Sequence, residues 1–240
     1  MSKKRWISSL GATCLALLFV APAMAGDVNK SIKIADNAET GSESTVNGSI
    51  SVGSGATVNG SLETVNGTIR VDKNSKIGDA ETVNGSIRLG SGVTAGDIGS
   101  VNGSIRLEED VTVDGEISVV NGKISLGKGS KVADDLSNVN GEITLSGAEI
   151  GGDLTTVNGD VSLEDGATVQ GYLKVEKPHG WGWNSNHRKP RIVIGPGSRV
   201  VGNIELEREV DLFISESAQV GGVIGEMSMD DAVRFGGNRP

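Results

Sequence analysis

Large rings, thiols and an excess of positive charge are what this sequence is short of. Aromatic residues make up 3% of its 240 residues, so the side chains that usually fill a globular core are nearly missing. The apolar share is still 36%, carried mainly by Val, Ile, Leu and Ala, which suits thin repetitive β structure better than a packed globular enzyme. The single cysteine, Cys14, lies in the N-terminal segment, so no disulfide can staple the rest, and stability must come from packing and hydrogen bonds. Lys and Arg number 22 against 31 Asp and Glu, a formal net charge of −9. That balance counts against nucleic acid and anionic membrane surfaces as partners. What is abundant is glycine, 36 residues or 15% of the chain, against a usual share of ~7%.

Lys3, Lys4 and Arg5 precede an apolar stretch from Trp6 to Val20, and Ala23, Met24 and Ala25 have the small-x-small form of a cleavage site. Residues 1–25 are therefore expected to be a signal peptide, cut after Ala25. The apolar run is shorter than the ~20 residues of a membrane span, so no span is expected after cleavage. Cys14 follows Gly11, Ala12 and Thr13 on too short an apolar run for a lipoprotein, and reads as a passenger within the signal. Cleavage would leave 215 residues with a net charge of −12. The periplasm is the expected location, with the cell surface or secretion as alternatives.

The triplet Val-Asn-Gly recurs with its asparagine at Asn47, Asn66, Asn84, Asn102, Asn121, Asn140 and Asn158, at spacings of 19, 18, 18, 19, 19 and 18. Val28 and Asn29 extend this register downward by 18, with Lys30 in place of the glycine; the triplet at Asn59 is out of phase. Counting from the valine of each triplet, apolar residues fall at fixed offsets: Val46, Ile50, Val52, Val58 and Leu62 in one coil, Val101, Ile105, Leu107, Val113 and Ile117 in another. In the 18-residue coils the last member moves one place earlier, as Ala80, Ile98 and Leu154. Pairs such as Ile105 and Leu107 have the two-residue period of a strand, and no stretch holds a helical period. The expected fold is all-β: a single-domain parallel β-solenoid, a right-handed β-helix with three short strands and 18–20 residues per coil.

Asn-Gly suits a corner, because glycine accepts positive φ freely and asparagine tolerates it. One asparagine per coil could also form an amide ladder along the stack. Asn-Gly is equally the signature of hairpins, but hairpin turns recur at ~8–12 residues rather than 18. A left-handed hexapeptide helix needs an apolar period of six, whereas the steps here run 4, 2, 6, 4 and 3.

Above Val157 the pattern changes. The segment beginning at Gly166 matches that beginning at Gly197, a separation of 31, so an inserted loop is expected at about residues 176–190, holding His179, Trp181, Trp183 and His187. The register then resumes at 20, with Ile192, Ile194, Val200 and Ile204 recurring as Leu212, Ile214, Val220 and Ile224. The solenoid is expected over 26–224, followed by a C-terminal cap or tail over 225–240.

Solenoids host lyases and acyltransferases, yet no paired carboxylates beside a base, no nucleophile arrangement and no phosphate-loop or calcium-repeat glycines stand out here. No catalytic residue, cofactor or firm metal site is expected. Two columns are notable. Asp79, Asp97, Glu116, Asp135 and Asp153 occupy one place in five successive coils, a solvated acidic face or else a line of weak cation sites. Arg70, Arg88 and Arg106 lie between the Ile and Leu places of three coils, and nearby carboxylates would make them ordinary surface pairs. The inserted loop is the candidate for a specific contact: Trp181 and Trp183 could stack on sugar rings or a protein, with His179, His187 and Arg188 beside them, or fold back over the solenoid flank. Expected partners are an envelope polysaccharide or protein, and further copies of the chain through the terminal coils.

The repeated VNGxIxV pattern resembles bacterial adhesin-like proteins of the repetitive β-rich type. The segments VSLEDGATVQGYL and IVIGPGSRVVGNIEL resemble the bactofilin family, polymer-forming β-helical scaffolds. Both resemblances imply a structural role with no catalytic residues to carry over. Bactofilins are cytoplasmic, so the signal peptide shifts the implied role from the cytoskeleton to the envelope.

Overall fold

A computed structural model describes residues 28–178 and 188–240. Short extended segments separated by tight corners wind into a stack in which every strand pairing is parallel and each residue sits over its counterpart one coil below. Ile32 pairs with Ile50, Ile50 with Ile69, Ile69 with Ile87, Ile87 with Ile105, and onward through Ile124, Ile143 and Val161. The next partner is Ile192, across the insertion, and then Leu212.

Three faces result. The first is an 11-stranded sheet running from Ile32–Ile34 to Val233–Phe235. The second is built from two-residue strands such as Thr94–Ala95 and Thr112–Val113, and the third from longer ones such as Ile98–Asn102 and Ile117–Asn121. In the upper coils Arg199–Leu206 and Gln219–Gly225 run through the corner between these two faces without a break.

β-Branched and leucine side chains suit such stacking, because each inward residue packs against its like in the coils above and below. Ile50, Leu62, Ile69, Ile105, Ile117 and Leu136 are almost wholly buried and belong to one continuous core. Truncating one, for example Ile105→Ala, opens a cavity costing about 2–5 kcal/mol.

Two expectations from the pattern are corrected. Except at Val157, the triplet valine is not a buried residue: alternation within Ile98–Asn102 turns Ile98 and Ser100 inward and Val101 outward, and Val46 is 40% exposed. The inward place is the residue before it, giving a buried column of Thr45, Thr64, Thr82, Ser100, Val119, Asn138 and Thr156. Ile224 does not repeat Ile204. A bulge between Val200 and Asn203 shifts the register, so Val223 pairs with Ile204, while Ile224 faces outward beside Glu205 and is exposed.

Beyond Gly225 the chain turns a corner into one more rung of the first face. Met227, Met229 and Ala232 pack against the core, and Val233–Phe235 adds the last strand to the first face. The intervening 3₁₀ turn Met229–Asp231 is fixed by Ser228, whose N–H and hydroxyl both donate to the Asp231 carboxylate, at 2.8 and 2.9 Å. This contact holds the Asp231 pKa below its ordinary value, chiefly through the backbone N–H.

Candidate functional site

The repeated polar residues meet their own kind. Each triplet asparagine donates its amide N–H to the Oδ1 of the asparagine one coil below: Asn47 to Asn29, Asn66 to Asn47, Asn84 to Asn66, Asn102 to Asn84, Asn121 to Asn102, Asn140 to Asn121 and Asn158 to Asn140, all at 2.8–3.1 Å. At the top, Arg208 reaches across from the second coil above and donates to Asn158 Oδ1 at 3.0 Å and to the Val157 carbonyl. The out-of-phase Asn59 lies elsewhere and donates to Glu39 at 2.7 Å.

The triplet glycines are required for a different reason from the one the dipeptide suggests. Only Gly141 among them has positive φ, at 128°, and none of the ladder asparagines does. A Cβ on Gly67, Gly85, Gly103 or Gly122 would instead run into the carbonyl oxygen of the triplet glycine one coil below. Lys30 occupies this place at the bottom, where no described coil lies beneath it. The left-handed corner is another column, at Asn37, Gly55, Asn74, Gly92, Asp110, Gly129, Gly147, Gly166 and Gly197, with Asp165 joining Gly166 in its coil. Its signal was present in the sequence as an Asn, Asp or Gly recurring nine residues after most triplet valines.

The buried Thr/Ser column also serves the stack: Thr64 donates to the Gly48 carbonyl, Thr82 to Gly67 and Ser100 to Gly85, at 2.8–3.3 Å. Asn138, too long for this place, donates to the carbonyls of Gly122 and Gly141, while its Oδ1 is buried with no partner among the described residues.

The acidic column is brought together at coil spacing, but its four aspartate carboxylates turn back to the chain. Asp79 Oδ1 accepts the N–H of Asp97, Asp97 that of Glu116, Asp135 that of Asp153, and Asp153 that of Tyr172, all at 2.8–2.9 Å. The preceding glycines make room, since a Cβ on Gly96, Gly115, Gly152 or Gly171 would strike these oxygens. At its upper end Asp153 also binds Lys174 at 2.7 Å, with the Lys174 ammonium 5.3 Å from the Tyr172 ring centre. Burial works against the Lys174 charge, but the hydrogen bond and charge of Asp153 outweigh it and raise the pKa. Beside this column, burial pushes the Glu81 pKa up, helped by Glu63, Asp79 and Asp97. Among the described residues no three His, Cys, Asp or Glu side chains converge as a metal site.

Trp181, Trp183, His179 and His187 lie outside the described residues. The stem of their loop is clamped from both sides. Arg188 pairs with Asp160 at 2.6 Å, the Arg191 N–H donates to the same carboxylate, and Lys189 pairs with Glu209 at 2.7 Å. On the entering side the Lys177 N–H donates to Glu207, and its ammonium pairs with Glu226 at 2.8 Å. Arg191 also lies 4.8 Å from the ring centre of Phe213.

No described helix is long and apolar enough to cross a membrane. Comparison of the chain with models of known protein families, with curated proteins and with solved structures gave no match in any of the three.

Proposed function

We propose that this is a non-enzymatic, exported structural protein, a scaffold or adhesin-like rod of the bacterial envelope whose output is its shape. The observation that carries this reading is the destination of the repeated polar groups. The Asn, Asp and Thr/Ser columns spend their hydrogen bonds on the adjacent coil, so their recurrence serves stacking rather than convergence on a reacting group. Eleven rungs on the first face, at ~4.8 Å each, make a rod on the order of 50 Å long. Such a rod holds apart whatever binds its two ends and presents its outward columns at coil spacing.

The basic, apolar and small-residue order of residues 1–25 supports export, to the periplasm first, with the cell surface and secretion as alternatives. The resemblance to repetitive adhesin-like proteins and to bactofilins supports a structural role. Self-assembly through the terminal coils belongs to this reading: among the described residues Val233–Phe235 pairs only with Asp211–Ser215, and Gln219–Gly225 only with Arg199–Leu206, so both present an unpaired edge at the upper end. An unpaired strand edge of this kind is a template for pairing with a second chain.

Negative-stain electron microscopy of residues 26–240 over a range of concentrations, with fractionation of the producing cells, tests the proposal. Discrete rods of about 50 Å and recovery outside the cytoplasm are expected. Filaments would make the rod a polymer-forming scaffold, and a cytoplasmic location would overturn the envelope role. The clamped loop stem favours one second reading, a polysaccharide-binding module acting through Trp181 and Trp183. Saturable glycan binding that is lost on replacing both by Ala would establish it.

A further inference from the structure

Arg70, Arg88 and Arg106 stand at the outward middle place of three successive strands of the first face, Ile69–Val71, Ile87–Leu89 and Ile105–Leu107. They are in direct register, Arg88 over Arg70 and Arg106 over Arg88. Like charges opposite one another in a sheet are unfavourable, and the rest of the column avoids them: its neighbours below and above are Ser51 and Ser125.

Acidic residues two places along each strand decide how the three cations are answered. On the upper rung Glu108 accepts from Arg106 Nε at 2.9 Å. The middle rung has Gly90 in that place, so Arg88 has no carboxylate of its own. On the lower rung Asp72 is present, but neither Arg70 nor Arg88 makes an ion pair or side-chain hydrogen bond among the described residues. Between them lies a groove of about 290 Å³ lined by the three arginines with Asp72, Gly90 and Glu108.

We propose that this groove is a binding site for a polyvalent phosphate-type anion, seated between the Arg70 and Arg88 guanidinium groups and extending towards Arg106. The planar fork of arginine matches phosphate oxygens with two parallel hydrogen bonds, and two forks one rung apart can hold successive phosphoryl groups of one chain. Asp72 and Glu108 border the site on either side and confine the anion to the rung that Gly90 leaves clear. The site is separate from the loop stem and does not rest on the scaffold reading.

Tripolyphosphate and orthophosphate are the probes, measured on residues 26–240 by titration calorimetry and by thermal unfolding. The test variant is R70S/R88S, which extends the serines already present at Ser51 and Ser125 and so keeps the stack. The control is K76S/K131S, which removes the same charge from the second face. Tripolyphosphate is expected to raise the wild-type melting temperature and to bind at least ~10-fold more tightly than orthophosphate, because two forks engage together. R70S/R88S should lose at least ~10-fold in tripolyphosphate affinity, and K76S/K131S less than ~3-fold. Absence of tripolyphosphate binding to the wild type, or equal losses in the two variants, would overturn the site. Equal affinity for the two phosphates would overturn the concerted action of successive rungs.

Discussion

Replacing Gly103 by Ala separates two explanations of the triplet glycine. If glycine served the left-handed region there, alanine would cost the modest strain of positive φ, and asparagine would be tolerated. Gly103 does not have positive φ; its Cβ would meet the Gly85 carbonyl oxygen and lie 3.0 Å from Ser100 Oγ. Relief requires two coils to separate, so the overpacking cost of about 1–3 kcal/mol applies. The flanking bonds Gly103 N–H to Asn121 O at 3.0 Å and Gly85 N–H to Asn102 O at 3.1 Å weaken as well, each worth about 1 kcal/mol. The sum is about 3–5 kcal/mol, which at about 2–4 °C per kcal/mol for a chain of this size lowers the melting temperature by about 6–20 °C. Gly103→Asn should be at least as damaging. Gly92→Asn is the matched control. Gly92 has φ of 71° in the left-handed column, where Asn37 and Asn74 already stand at 56° and 57°, and the one close neighbour of a Cβ there is the movable side-chain Oδ1 of Asn74, at 2.6 Å, not backbone, so a change within about 1 kcal/mol is expected. Thermal and urea unfolding followed by circular dichroism, with coincident midpoints checked because repeat arrays can unfold in parts, measures all three. A Gly103→Ala midpoint within about 2 °C of wild type, or Gly92→Asn as damaging as Gly103→Asn, would refute the close-approach explanation.

Asn102→Ala removes one ladder bond to Asn84 and one from Asn121; both are exposed, so a loss of about 1–2 kcal/mol is expected in urea titration, against less than about 1 kcal/mol for Asn59→Ala. Asn138→Thr restores the hydroxyl of its column and removes the buried, unpartnered Oδ1, so the melting temperature should rise, by about 1 kcal/mol in stability. Glu81 has a folded pKa above its ordinary 4.5, so folding takes up its proton. Its favourable contribution is complete below the unfolded value and is lost as pH rises through the folded one. Glu81→Gln should therefore be more stable than wild type at neutral pH, with the difference vanishing in melts carried out below the carboxylate range.

The stack, its period and its amide ladder were legible because each rests on a residue type that recurs in phase. Ile50, Ile69, Ile87 and Ile105 follow the repeat without interruption, and so do the asparagines that bond one another. The orientation of Val101 was not legible, since hydrophobicity alone places it inside. Strand alternation from Ile98 sends it out and draws Ser100 in, and a buried hydroxyl is tolerated because the Gly85 carbonyl needs a donor. The glycine column was misread for a related reason. A short residue can mark a special φ or a close approach, and only the position of the Gly85 oxygen tells them apart. The acidic column looked like a free surface because nothing in the sequence reports that an Asp79 carboxylate folds back onto the Asp97 N–H. The slip at Ile224 arose from the bulge near Val201 and Gly202, invisible to a count of apolar residues.

The place of the insertion follows from these ladders. Up to Asn158 each coil is tied to the next by the Asn column and by the hydroxyl or carboxylate columns, so extra residues there would break several ties at once. The third-face coil containing Leu173–Val175 has no triplet asparagine, and the next strand of the stack begins at Arg191. Arg208, from the coil above the insertion, closes the ladder on Asn158, while Asp160 and Glu209 hold the returning strand. The rod is thus regular below and irregular above. The repeat tolerates an insertion where its Asn ladder has ended and charged pairs take over the work of holding adjacent coils together.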